Sequence, residues 1–180
     1  MMSIDTEMLW GPATPHEASA LAGKGKEDRE AITALLGALE EHQIGATWAV
    51  VGHLFLDHCT KAECLTSKNA SVYSYSPPWY RDPYSDIARE PMRYGKDVVE
   101  MLLSDGPLQE IGYHSYSHPV FTDIPREMAE GEIAQAKEIE QRWGIRLRSF
   151  VFPQDKVAHV DLLAKHDFLI YRGAAARRRR

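Results

Sequence analysis

Apolar residues along the chain change their spacing several times, and the spacing assigns most of the elements. Residues 26–42, "KEDREAITALLGALEEH", place Ile32, Leu35, Leu36 and Leu39 on one side of a helix. "GATWAVVGHLFL" follows, a β-rich run from Thr47 to Val51 behind a turn glycine. "MMSI" reads as a short first strand that runs into the Gly- and Pro-marked loop "DTEMLWGPATP". Further on, "KDVVEMLLSD" is a helix and "LQEIGYH" a strand. "DIPREMAEGEIAQAKEIEQRWG" is a strong helix with Gly144 as its C-terminal cap. "LRSFVFP" is a strand closed by Pro153, "HVDLLAKHD" a helix, and "FLIYRG" a last, buried strand.

Strands alternating with helices imply an α/β fold with a parallel sheet. About five strands are expected, in one domain. Residues 66–94, rich in Tyr, Ser and Pro, break the rhythm as a long loop, a place where binding residues often sit. The tail "AAARRRR", residues 174–180, is a basic segment expected to stay solvated and disordered.

Composition narrows the classes. With a formal net charge of −5, nothing global favours nucleic acid or an anionic membrane. No apolar run approaches the roughly eighteen residues of a membrane span. The first residues carry no basic leader, so a cytoplasmic location is expected. Cys59 and Cys64 do not make a disulfide framework and are expected to be thiols.

In parallel α/β folds the chemistry collects at the C-terminal ends of the strands. That rule brings four distant clusters to one rim. Asp5 and Glu7 follow strand one, Gly52 and His53 strand two, His114 and His118 strand three, and Gln154, Asp155 and Lys156 strand four. Two imidazoles and a carboxylate suit a divalent metal such as zinc with an open position. His114 and His118 supply two ligands, and Asp5 or Glu7 the third. The other carboxylate is then free to accept a proton from the attacking water. The pair is not a zincin helix, because Ser115 stands where that motif has glutamate. Trp10, Trp79 and Tyr80 are aromatic candidates for stacking on a substrate. Tyr113, by strand alternation, points away from His114 into the core.

"EIGYHSYSHP" resembles the H-S/T-x-x-H motif of the polysaccharide deacetylase family, the NodB-homology fold of carbohydrate esterase family 4. "SIDTEMLWG" resembles that family's first motif, "GATWAVVG" its second strand, and "RSFVFPQDKV" stands where its third motif lies. The resemblance covers residues 1–173. It implies a deformed (β/α) barrel, here incomplete, and a hydrolase that removes N-acetyl or O-acetyl groups from a carbohydrate substrate. Asp5 matches the catalytic base. Glu7, His114 and His118 match the ligands of a divalent metal, Zn2+ first, with Co2+ or Ni2+ as alternatives. Pro153 and Gln154 fall among the substrate-binding positions.

The sequence departs from the family twice. The base-orienting arginine of the third motif is replaced by Val151 and Phe152, with Gln154 or Lys156 as substitutes. The family's late histidine lies beyond the chain, which reads as C-terminally truncated. A truncated, non-catalytic saccharide-binding remnant and a metal-independent amidohydrolase on the same fold are therefore the alternatives.

Overall fold

The strand without polar alternation is the best covered. In β2 (Ala46–Val50), all five residues are buried, as a strand packed on both faces requires. The computed structural model describes residues 2–11, 16–17, 20, 25–61, 84–104 and 108–174. Trp79, Tyr80, Cys64 and the arginines of the tail lie outside them.

The other strands are β1 (Met2–Thr6), β3 (Gln109–Tyr113), β4 (Ser149–Val151) and β5 (Ile170–Arg172). Between them run α1 (Gly25–Glu41), α2 (Lys96–Ser104), α3 (Arg126–Trp143) and α4 (Asp161–Lys165). The five strands form one sheet in the order β1-β2-β3-β4-β5, and every pairing is parallel. The sheet is a curled half-barrel: Arg172 on β5 reaches across to Ser3 Oγ on β1 at 2.8 Å.

Spacing explains the helices. On α1, Leu36 and Leu39 are buried and Ile32 packs beside them, while Leu35 is exposed at the margin of the apolar stripe. Helix α3 buries Met128, Ala129, Ile133, Ala136 and Ile139. It ends at Gly144, whose φ of 66° is the left-handed cap that glycine adopts without strain. Behind β3 and β4 the core is aromatic: Phe150 packs edge-on against Phe121, Phe152 and Phe168.

The last strand differs from expectation. Leu169, Ile170 and Tyr171 of "FLIYRG" are 73%, 53% and 48% exposed. An edge strand has a neighbour on one side only, and β5 pairs only with β4 among the described residues. Among the described residues no helix is long and apolar enough to cross a membrane.

Candidate metal centre

Two strands, β1 and β3, lead into the candidate ligands. Glu7 follows β1 directly and opens a turn, Met8–Trp10, closed by the Trp10 amide on the Glu7 carbonyl at 2.9 Å. The Leu9 amide donates to the Met92 carbonyl, which pins the turn from outside. A glycine is needed next to it. A Cβ on Gly11 would lie 1.8 Å from Glu7 Oε2 and 2.8 Å from its Cδ.

His114 follows β3, and its amide donates to the Val50 carbonyl on β2 at 2.9 Å. The chain then turns sharply. Ser115 and His118 have φ values of 58° and 62°, a conformation that costs non-glycine residues on the order of 1–2 kcal/mol each. Hydrogen bonds hold the turn. The Gly52 amide donates to the Ser115 carbonyl and the His53 amide to the Tyr116 carbonyl. The His118 amide donates to Ser115 Oγ at 3.1 Å.

The result brings Glu7, His114 and His118 together, with one potential ligand atom from each within 4.8 Å of the others. Both rings point Nε2 at one carboxylate oxygen, Glu7 Oε1, at 2.8 Å for His114 and 3.1 Å for His118. Both histidines are buried, 0% and 1% exposed. His114 Nδ1 lies 2.7 Å from the Val151 carbonyl, which can only accept, so Nδ1 carries the proton. On the neutral ring, Nε2 then presents a lone pair to a carboxylate oxygen. Two acceptors that close require a proton or a cation between them. The His118 Nδ1 is buried without a hydrogen-bond partner among the described residues. Burial lowers the pKa of His118 and favours a neutral ring with a lone pair to give. Burial alone would raise the Glu7 pKa, but where the rings are protonated and donate to it, their bonds and charge outweigh burial and hold the carboxyl well below the usual range. Two imidazole nitrogens and a carboxylate oxygen are a donor set that fits a zinc-like divalent ion, with the Val151 carbonyl orienting one ring.

Asp5 sits two residues before Glu7 and is held by a residue the sequence reading missed. Arg172 Nη1 and Nη2 donate to its two carboxylate oxygens at 2.6 and 2.5 Å, a bidentate fork. Arg172 Nε also donates to Asp155 Oδ1 at 3.1 Å. The side chain that grips Asp5 therefore comes from β5, a strand the third motif does not include. Its only signal in sequence was a charged residue ending a strand.

Two expected substrate contacts are placed differently. Trp10 is fully buried. Its ring lies 4.4 Å from that of His53, and its Nε1 donates to the Arg93 carbonyl at 3.1 Å, so it offers no face to a sugar. Pro153 is buried, whereas Gln154 is exposed beside it with a left-handed φ of 53°. His53 is a packed core residue whose Nδ1 lies 2.9 Å from the same Arg93 carbonyl. Tyr113 is buried as expected, and its hydroxyl donates to the Glu132 carbonyl at 2.9 Å.

The chain resembles known proteins at two levels. The sequence pattern of the family described as polysaccharide deacetylase matches residues 22–165. No curated protein matches the chain by sequence. Among solved structures it resembles a CE4 family pseudoenzyme from Bacillus anthracis, with a TM-score of 0.53 at 14% identity over 94% of this chain and 41% of that one. It resembles the chitin deacetylase of the fungal pathogen Colletotrichum lindemuthianum with a TM-score of 0.52 at 14% identity, over 95% and 53% of the two chains. For a family 4 carbohydrate esterase from Streptomyces lividans, in complex with acetate, the TM-score is 0.50 at 17% identity, over 94% and 59%. At these identities the structures speak for the fold, and the chain spans about half the length of each. The family pattern extends over most of the chain, and on that ground the chain belongs to the polysaccharide deacetylase family.

Proposed function

We propose that the chain is a metal-dependent hydrolase that removes acetyl groups, from nitrogen or oxygen, from a carbohydrate. The observation that carries this reading is the convergence of two buried imidazole Nε2 atoms on a single carboxylate oxygen of Glu7. Glu7, His114 and His118 would hold the ion, Zn2+ first, with Co2+ or Ni2+ as alternatives. Such an ion supplies polarisation of the acetyl carbonyl and a more acidic water. Asp5 accepts the proton of the attacking water. Arg172 fixes the direction of the Asp5 carboxylate through both of its oxygens, the part played in the family by an arginine nearer β4. Addition of water to the acetyl carbon and cleavage of its bond to nitrogen release acetate and the amine. Gln154, exposed after β4, would contact the sugar.

A second reading rests on the Arg172 fork. Both Asp5 oxygens are engaged by the guanidinium, an arrangement that would have to loosen before Asp5 takes a proton. A chain that stays so engaged would bind metal and saccharide without turnover.

Elemental analysis together with acetate release from N-acetylglucosamine oligomers tests both. The enzyme reading expects about one divalent ion per chain and measurable acetate. His114→Ala should abolish both. Metal with no acetate release would select the second reading, and metal retained by a His114→Ala/His118→Ala double variant would sink the site.

A further inference from the structure

A glutamate in the middle of an apolar helix face calls for a reason. Ala129, Ile133 and Ala136 are spaced as the buried stripe of α3, and Glu132 stands among them, 1% exposed. A carboxylate in such a place is costly unless donors surround it. Its donors come from the loop between the two histidines. The Tyr116 and Ser117 amides both donate to Oε2 at 2.8 Å, and the Ser117 hydroxyl donates to Oε1 at 2.6 Å. The backbone of Glu132 is tied to the same place, since its carbonyl accepts from Tyr113, the residue before His114.

We propose that Glu132 is a positioning residue for the metal-binding loop: its carboxylate gathers the Tyr116 and Ser117 amides and the Ser117 hydroxyl, and thereby fixes the spacing of His114 and His118. This rests on reading the two histidines as metal ligands. The loop carries left-handed residues at both ends of the 115–118 turn, and such conformations persist where surrounding contacts over-determine them. Gly52 and His53 hold the carbonyls of the loop, and Glu132 holds its amides. An apolar residue on α3 could fill the volume but would take away the carboxylate that accepts from two buried N–H groups.

Glutamine separates a geometric clamp from generic packing. Its carbonyl oxygen can take both amides, and its NH2 can donate to Ser117 Oγ, whose hydroxyl turns to accept. Zn2+ affinity, read by competition with a chromophoric chelator, should fall ~10–100-fold in Glu132→Ala, the size of effect seen when groups that orient metal ligands are lost. Glu132→Gln should restore it to within about threefold of the unaltered chain, and amide exchange in the metal-free protein should show Tyr116 and Ser117 losing protection in the Ala variant alone. Unchanged Zn2+ affinity in Glu132→Ala, or equal losses in both variants, would overturn the proposal. Should Glu132→Ala fail to fold, Ser117→Ala decides: it removes the hydroxyl bond to Glu132 Oε1 and should weaken Zn2+ a few-fold, while no change overturns. If the unaltered chain binds no Zn2+, the ligand reading fails by itself. The clamp is then judged by amide protection and by the His114 and His118 ring resonances, which must shift in Glu132→Ala for it to stand.

Discussion

The two halves of the sheet are built to different standards. β1, β2 and β3 share five-residue registers, pairing Met2 with Ala46 through Thr6 with Val50, and Ala46 with Gln109 through Val50 with Tyr113. Beyond β3 the ladder thins. β3 and β4 share the single pair Tyr113 and Phe150, and β5, with Ile170 and Tyr171 exposed, pairs with β4 through three residues. The candidate metal ligands leave the well-paired half, and their loop is bonded on both sides. The guanidinium that holds Asp5 leaves the thin half. The candidate metal ligands and the carboxylate proposed as the base therefore rest on separate supports, and substitutions should be able to divide them.

The largest division is expected from Arg172→Met, which keeps an apolar stem but loses the fork on Asp5, the bond to Asp155 and the bond to Ser3. Metal content should stay at the level of the unaltered chain. Acetate release should fall by ~100-fold, the effect of misplacing a reacting group by about 1 Å. Parallel loss of metal would break the comparison, because it would make the two halves one unit. A gain in acetate release would show instead that the fork silences Asp5.

What the sequence exposed, and what it hid, follows the same division. The five strands and the histidine pair came from spacing and alternation, which are local. The rule that strand ends share a rim left Asp5 or Glu7 as the third ligand, and the resemblance to the deacetylase family pointed to Glu7. Arg172 was hidden because its partner Asp5 is 167 residues away, and only the curl of the sheet brings the edges β1 and β5 together. Trp10 was misplaced for a related reason. Its residue type suits a sugar platform, but the Arg93 carbonyl, 83 residues on, draws its ring inward. Glu132 did leave a signal, an acid at a buried helical position, although its donors could not be named before the loop was folded.

A smaller effect is expected within the well-paired half. In Gly11→Ala the new Cβ meets the Glu7 carboxyl at 1.8 Å and its own Cβ at 2.9 Å, so the Glu7 side chain must swing from the histidines. The fold should survive, because Gly11 has an ordinary φ of −80°. Zn2+ should bind ~10-fold more weakly, at the low end for a disturbed metal shell. Competition titration reads this directly. Undiminished affinity would mean that Glu7 does not set the strength of the site.

The smallest effect sharpens the thin half. Asp155 shares the Arg172 guanidinium with Asp5 but takes only one bond from it, at 3.1 Å. The side chains of Arg172 and Asp155 are 32% and 48% exposed, and ion pairs open to water contribute only about 0–1 kcal/mol. Asp155→Asn keeps an acceptor on Arg172 Nε and leaves both bonds to Asp5 in place. Acetate release should therefore stay within about threefold, and Tm should move by no more than ~2–4 °C, the shift that about 1 kcal/mol gives a chain of this size. A tenfold loss of turnover at unchanged Tm would show that the fork is aimed from the β4 side. Orientation of the base would then depend on two adjoining carboxylates competing for one guanidinium, and not on β5 alone.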